Sequence, residues 1–210
     1  NQATSIDSYN VAVGDNAGAA ITTGIRNVLL GGLAGDALTD ADFNVALGYN
    51  TLGSDTLGSH NTAIGYAALF TQNFTTATNS YNTAVGSNAG LSVTTGVQNT
   101  IVGGVAGDAL TTGTDNVAIG YAALSAEDAH GLNVAVGSQA LRVQNAGANA
   151  YNIGIGYNAG GAVTTGTALT LIGGLAGDAL TDCDFNTSVG FASLSADTLG
   201  SKTTAIGYQA

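Results

Sequence analysis

Few residues in this chain could do covalent or metal chemistry, and their spacing limits what that chemistry could be. His60 and His130 lie far apart, and neither has a partnered serine or cysteine of the kind that nucleophilic catalysis needs. The single cysteine, Cys183, permits no intramolecular disulfide and no thiolate metal site. The most suggestive motif is Gly31-Gly32-Leu33-Ala34-Gly35-Asp36-Ala37-Leu38, which nearly fits a calcium-binding nonapeptide. Such sites need tandem copies so that neighbouring turns share the ion, whereas these copies begin at Gly31, Gly103 and Gly173, and Ala34 replaces a turn glycine. Asp36, Asp40 and Asp42, like Asp178, Asp182 and Asp184, could still form loose clusters of oxygen ligands. In the middle copy Thr112 and Thr114 stand where the second and third acids would be. The residues therefore point to no catalytic site, no metal site and no cofactor, and chelators are expected to leave stability unchanged.

Composition narrows the partners. Of 210 residues only 8% are charged, and 14 acidic residues against three basic ones (Arg26, Arg142 and Lys202) give a net charge of −11. No basic patch exists to neutralise phosphates, which argues against nucleic acid and against an anionic membrane surface. No apolar run reaches spanning length, so membrane insertion is not expected. The 32 glycines would fit flexible low complexity, but aliphatic residues recur in fixed register, which a disordered chain does not require.

The elements that carry these residues are set by a repeat. A core of the form Asn-x-Ala-aliphatic-Gly recurs twelve times, its glycines at Gly14, Gly31, Gly48, Gly65, Gly86, Gly103, Gly120, Gly137, Gly156, Gly173, Gly190 and Gly207. Nine of the eleven steps are 17 residues; the other two are 21 and 19. The residue before glycine is always aliphatic, and two positions earlier stands Val, Ile or Thr, as at Val45, Thr62 and Ile153. Alternation places these two on one face of a strand, the β-branched face expected to pack, with small alanines such as Ala46, Ala63 and Ala118 on the other. Glycine marks a structural turn or a close backbone approach. The leading asparagine occurs at Asn10, Asn27, Asn44, Asn61, Asn82, Asn99, Asn116, Asn133, Asn152 and Asn186, and is replaced by Leu169 and Thr203. Stacked asparagines can hydrogen-bond along a ladder. Helix is excluded by a glycine in every core and by the lack of a 3.6-residue apolar stripe. The pattern predicts an all-β parallel solenoid, or β-roll, about 55–60 Å long at about 4.8 Å per coil.

Above this period lies a longer one. Four coil types repeat three times, giving super-repeats over 10–81, 82–151 and 152–210 of one array, with residues 1–9 completing a preceding coil. Type one reads YNVAVGDNAG, type two carries GGLAGDALT with a large residue in the alanine slot (Leu29, Ile101, Leu171), and types three and four carry cores such as that at Tyr66 and Tyr121. The two longer steps fall in type-four coils, where insertions such as Gln72 to Ser80 are expected to bulge out as loops.

Residues Thr62-Ala63-Ile64-Gly65 with Ala68, and their equivalents along the whole chain, resemble the head repeat of trimeric autotransporter adhesins, and similar repeats occur in phage tail fibres and bacterial surface proteins. The resemblance implies a left-handed β-roll, usually trimeric, although the coil here is longer. It points to an adhesin-head-like component of an extracellular, cell-surface or virion fibre, a homo-oligomer with a host-surface glycan or protein as a further partner. The terminal segments, NQATSIDSY and TTAIGYQA, complement one another as halves of a type-four coil, so head-to-tail stacking or a longer array is expected. The alternatives are a tail-fibre shaft that recognises glycans and an ice-binding solenoid, the latter disfavoured because Thr-Thr-Gly occurs in only four of the twelve coils, which would leave gaps in its ladder. Asn73-Phe74-Thr75 fits a glycosylation sequon in the longest insertion, whereas the sequon at Asn186 falls on the ladder. Aromatics after the core glycine, such as Tyr49, Tyr66, Tyr121, Tyr157, Phe191 and Tyr208, would serve either as glycan platforms or, more commonly, as cross-coil packing.

Overall fold

The computed structural model describes residues 7–210; residues 1–6 of the segment aligned above with a preceding coil lie outside the described residues. The architecture is an all-β parallel solenoid of about twelve turns. Each core contributes one three-residue strand: β1 (Val11–Val13), β2 (Val28–Leu30), β3 (Val45–Leu47), β5 (Thr62–Ile64), β7 (Thr83–Val85), β8 (Thr100–Val102), β9 (Val117–Ile119), β10 (Val134–Val136), β11 (Ile153–Ile155), β12 (Thr170–Ile172), β13 (Thr187–Val189) and β14 (Thr204–Ile206). They form one twelve-stranded sheet in sequence order. A second, two-stranded sheet pairs β4 (Gly58–Ser59) with β6 (Thr78–Asn79).

Register follows the repeat. Ala46 lies opposite Ala63, and Thr62 opposite Thr83 even though 21 residues separate their coils. The insertion in that step is only partly a loop. Gln72, Phe74 and Ser80 are buried, residues 75–77 are exposed, and Thr78–Asn79 pairs with the coil before as β6. The expectation of a simple bulge is corrected accordingly: Phe74 supplies apolar area that draws the segment back against the solenoid.

The faces of the strand are the reverse of the expected ones. The central residue points inward and is fully buried in most coils, as at Leu29, Ala46, Ala84, Ile101 and Ala118. The β-branched pair around it points outward, as at Val28 and Leu30 or Val117 and Ile119. The reason is width: a coil of 17 residues encloses little space, and small central side chains let its walls close.

That interior explains the four coil types. Four residues after the core glycine, coils of types one and two have glycine, as at Gly18 and Gly35, and types three and four have a leucine, as at Leu52, Leu69, Leu124 and Leu141. A Cβ on Gly18 would lie 2.8 Å from Leu29 Cδ1, and one on Gly35 would lie 2.9 Å from Leu29 Cδ2. The large central residue of the type-two coil thus fills the room its neighbouring glycines leave, while elsewhere leucine fills the room left by central alanine. Volume is conserved along the core by trading it between two positions, as dense packing demands.

The asparagines lock successive coils. Asn44 Oδ1 accepts from the backbone N–H of Asn61 at 2.9 Å, and Asn44 Nδ2 donates to the Gly58 carbonyl at 2.9 Å. The same pair of bonds recurs at Asn27, Asn82, Asn99 and Asn152, where Leu169 N–H takes the place of the next asparagine's. Each amide therefore satisfies backbone groups that the corner would otherwise bury without partners.

Candidate interaction face

The outward residues of the twelve strands form two columns down the solenoid, one of Val, Ile and Thr and one of Val, Leu and Ile. Their exposure is considerable: Val28 39%, Leu47 41%, Ile119 36% and Ile172 37%. None of the chain's charged residues occurs in either column.

Columns in which aromatics recur flank these two, with Asp15, Arg26, Asp115 and Lys202 among their other members. After the core glycine stand Tyr49 and Tyr66, stacked at 6.0 Å between ring centroids, and Phe191 and Tyr208, stacked at 5.8 Å. Before the asparagine a longer stack runs through four coils: Arg26 over Phe43 at 5.2 Å, Phe43 on His60 at 4.8 Å, and His60 on Tyr81 at 5.0 Å. Cation–π and offset stacking give this column order while its rings remain partly open to solvent. His60 is thus one layer of a stack, with no acid or nucleophile beside it in these contacts.

The other residues singled out for chemistry are placed in structural roles. Cys183 is buried in the core at the position of Ala41 and Gly113, and burial pushes its thiol up, which disfavours the reactive thiolate. Asp42 Oδ1 accepts from Ile25 N–H at 2.7 Å, Asp40 Oδ1 from Thr23 Oγ1 at 2.6 Å, and Asp182 Oδ1 from Thr165 Oγ1 at 2.7 Å. These acids tie coils together, and among the described residues neither aspartate trio gathers into a possible metal group. Among the described residues the one group of three such ligands within reach of one another is Glu127, Asp128 and His130, which was not singled out from the sequence. Asn73 is exposed, though its Oδ1 accepts from Thr56 Oγ1 at 3.0 Å, and Asn186 is buried in the ladder.

A threonine column was also missed. Eight residues after the core glycine stand Thr22, Thr39 and Thr56, then Thr94 and Thr111, then Thr164, Thr181 and Thr198. Counting from glycine would have found it, whereas the Thr-Thr-Gly motif hides it. Hydroxyls of this column donate to the carbonyl of the next coil, as from Thr39 to Thr56 at 3.0 Å and from Thr181 to Thr198 at 2.9 Å. It is a bonded ladder, interrupted by Asn73, Asp128 and Asn145.

In comparisons with protein-family models, curated proteins and solved structures, nothing matches this chain.

Proposed function

We propose that this protein is a structural component of an extracellular fibre or filament, adhesin-head-like and without catalytic activity, whose copies associate side by side through the outward face of the sheet. The observation that carries the reading is the composition of that face. Its two strand columns are uncharged and aliphatic or threonine throughout, while the chain as a whole carries −11. Approach by other sides opposes acids to acids; approach by this side buries aliphatic surface. Twelve strands and the flanking aromatic columns span about 55 Å by roughly 20 Å. That is a face on the order of 1,000 Å², of which the two uncharged strand columns make up roughly half, comparable with the largest apolar patch of a typical monomer. The whole face matches the roughly 800 Å² per partner that a stable interface buries.

The coils support a fibre because each repeats the same bonds to the next, so that length grows with coil number without a new kind of contact. Placement outside the cell, and a trimer as the closed form of the assembly, rest on the resemblance to adhesin heads. The test is sedimentation velocity on the chain and on Val102→Lys and Val85→Lys/Val102→Lys. The expected result is an oligomer for the parent and monomers for the variants, with the β-type circular dichroism retained. A monomeric parent, or association unaffected by both lysines, would overturn the reading.

A further inference from the structure

The middle type-three coil differs from its two sisters at one loop. In the first and third super-repeats the loop reads Asp55-Thr56-Leu57-Gly58 and Asp197-Thr198-Leu199-Gly200; in the second it reads Glu127-Asp128-Ala129-His130. All four positions differ, and two of the changes, Asp128 for threonine and His130 for glycine, introduce metal-ligating side chains; Glu127, in place of aspartate, lies inside the solenoid with no exposure.

The buried acids are not equally satisfied. Asp55 accepts three hydrogen bonds, from Gln72 Nε2 at 2.6 Å, Gly58 N–H at 3.1 Å and Phe74 N–H at 3.2 Å. Glu127 accepts two, from Gln144 Nε2 at 3.1 Å and His130 N–H at 3.2 Å. In the place of a third donor stands the His130 ring, with Nδ1 3.4 Å from Glu127 Oε1. That Nδ1 is itself buried and has no hydrogen-bond partner. A carboxylate short of a donor thus faces an unpartnered imidazole nitrogen, and Glu127, Asp128 and His130 each offer one ligand atom within 4.8 Å of the other two.

We propose that Glu127, Asp128 and His130 bind a divalent transition-metal ion of the zinc type. Two ligand atoms 3.4 Å apart, each about 2.0–2.1 Å from a metal, subtend roughly 110° at it, the tetrahedral angle that zinc prefers. One imidazole with two carboxylates suits zinc and its neighbours better than calcium, which takes six to eight oxygen ligands. Glu127 is the inner ligand, fixed by Gln144 of the following coil; Asp128 and His130 close over the ion from the solvent side, leaving water for the fourth position. The ion would fasten one loop to the interior of one coil, so the rest of the solenoid does not depend on it.

The sister coils supply the controls. His130→Gly and Asp128→Thr install residues that the equivalent loops already carry at Gly58 and Thr56, so both variants are expected to fold. Zinc is titrated calorimetrically into the whole chain, with histidine side chains followed by nitrogen-15 NMR. One-to-one binding is expected, with His130 resonances shifting to the tautomer protonated on Nε2 and those of His60 unmoved. Binding should be lost in His130→Gly, weakened in Asp128→Thr and unchanged in His60→Ala. Absence of binding by the parent, equal binding by His130→Gly, or a loss caused by His60→Ala would each overturn the site.

Discussion

Val105 has φ +49, in the left-handed region, and it is β-branched, the kind of side chain that fits there least well. Its position, two residues after the core glycine, is left-handed in the other coils as well, at Asn16, Leu33, Asn50, Asn88, Asn158 and Leu175 among them. The chain accepts the strain because the turn aims each N–H at the preceding coil; that of Val105 donates to the Ser87 carbonyl at 3.0 Å. Where type-one coils place asparagine, the cost is smaller. Val105→Asn is therefore expected to raise stability by about 1 kcal/mol, read from urea unfolding. An unchanged or lower midpoint would show that the apolar contacts of Val105 outweigh its backbone strain. None of this conformation was legible in the sequence, because asparagine, leucine and valine occupy one position without a common signature. The inversion of the strand faces escaped for a related reason. A period of two says which residues share a face, while which face turns inward depends on the width of the coil, and here width favours Ala46 over Val45 and Leu47.

At the scale of the coil, the sequence was most informative where backbone meets backbone. The turn glycines could be named from spacing alone, and the geometry supplies their reason. Gly120 has φ +129, and a Cβ there would lie 2.5 Å from the carbonyl carbon and oxygen of Gly137 in the next coil. Gly207 has φ +132, yet a Cβ on it would meet only Ala210 Cβ at 3.8 Å. The two positions share the backbone conformation and differ in the overhead contact, so they separate the two costs. Gly120→Ala should destabilise by about 1–3 kcal/mol more than Gly207→Ala, and Gly120→Val more again. Equal losses in thermal unfolding would assign the whole requirement to φ. The trade of volume between the strand centre and the position four residues after glycine was only half legible. Leu29, Ile101 and Leu171 stand out as large residues in an alanine slot, but that Gly18 and Gly35 make room for them needs the third dimension.

Over the whole molecule, burial of acids sets an unusual response to pH. Asp36, Asp108 and Asp178 occupy one position in the three type-two coils, and each has a buried Oδ1 without a hydrogen-bond partner. Desolvation raises the pKa of all three above the ordinary carboxylate value, against weaker lowering by backbone N–H groups. Asp55 is raised for the same leading reason, burial outweighing the bonds from Gln72, Phe74 and Gly58. A raised carboxyl binds its proton more tightly in the folded chain than in the unfolded one. Between the ordinary value and the raised ones the native state holds more protons, so stability increases as pH falls through that window and is lost as pH rises through it. Protonation also relieves the repulsion of a chain with net charge −11. The melting temperature is therefore expected to rise as pH is lowered from neutrality toward the ordinary carboxylate value, against the usual course of acid destabilisation. The triple variant Asp36→Asn, Asp108→Asn and Asp178→Asn removes three of the carboxyls whose pKa burial raises and leaves Asp55. It should be more stable than the parent at neutral pH and should flatten the profile, leaving the slope due to Asp55 and to general charge. A parent whose melting temperature falls as pH is lowered through that window, or a triple variant with the parent's slope, would show that these side chains escape desolvation in solution, through water or a partner reaching Oδ1.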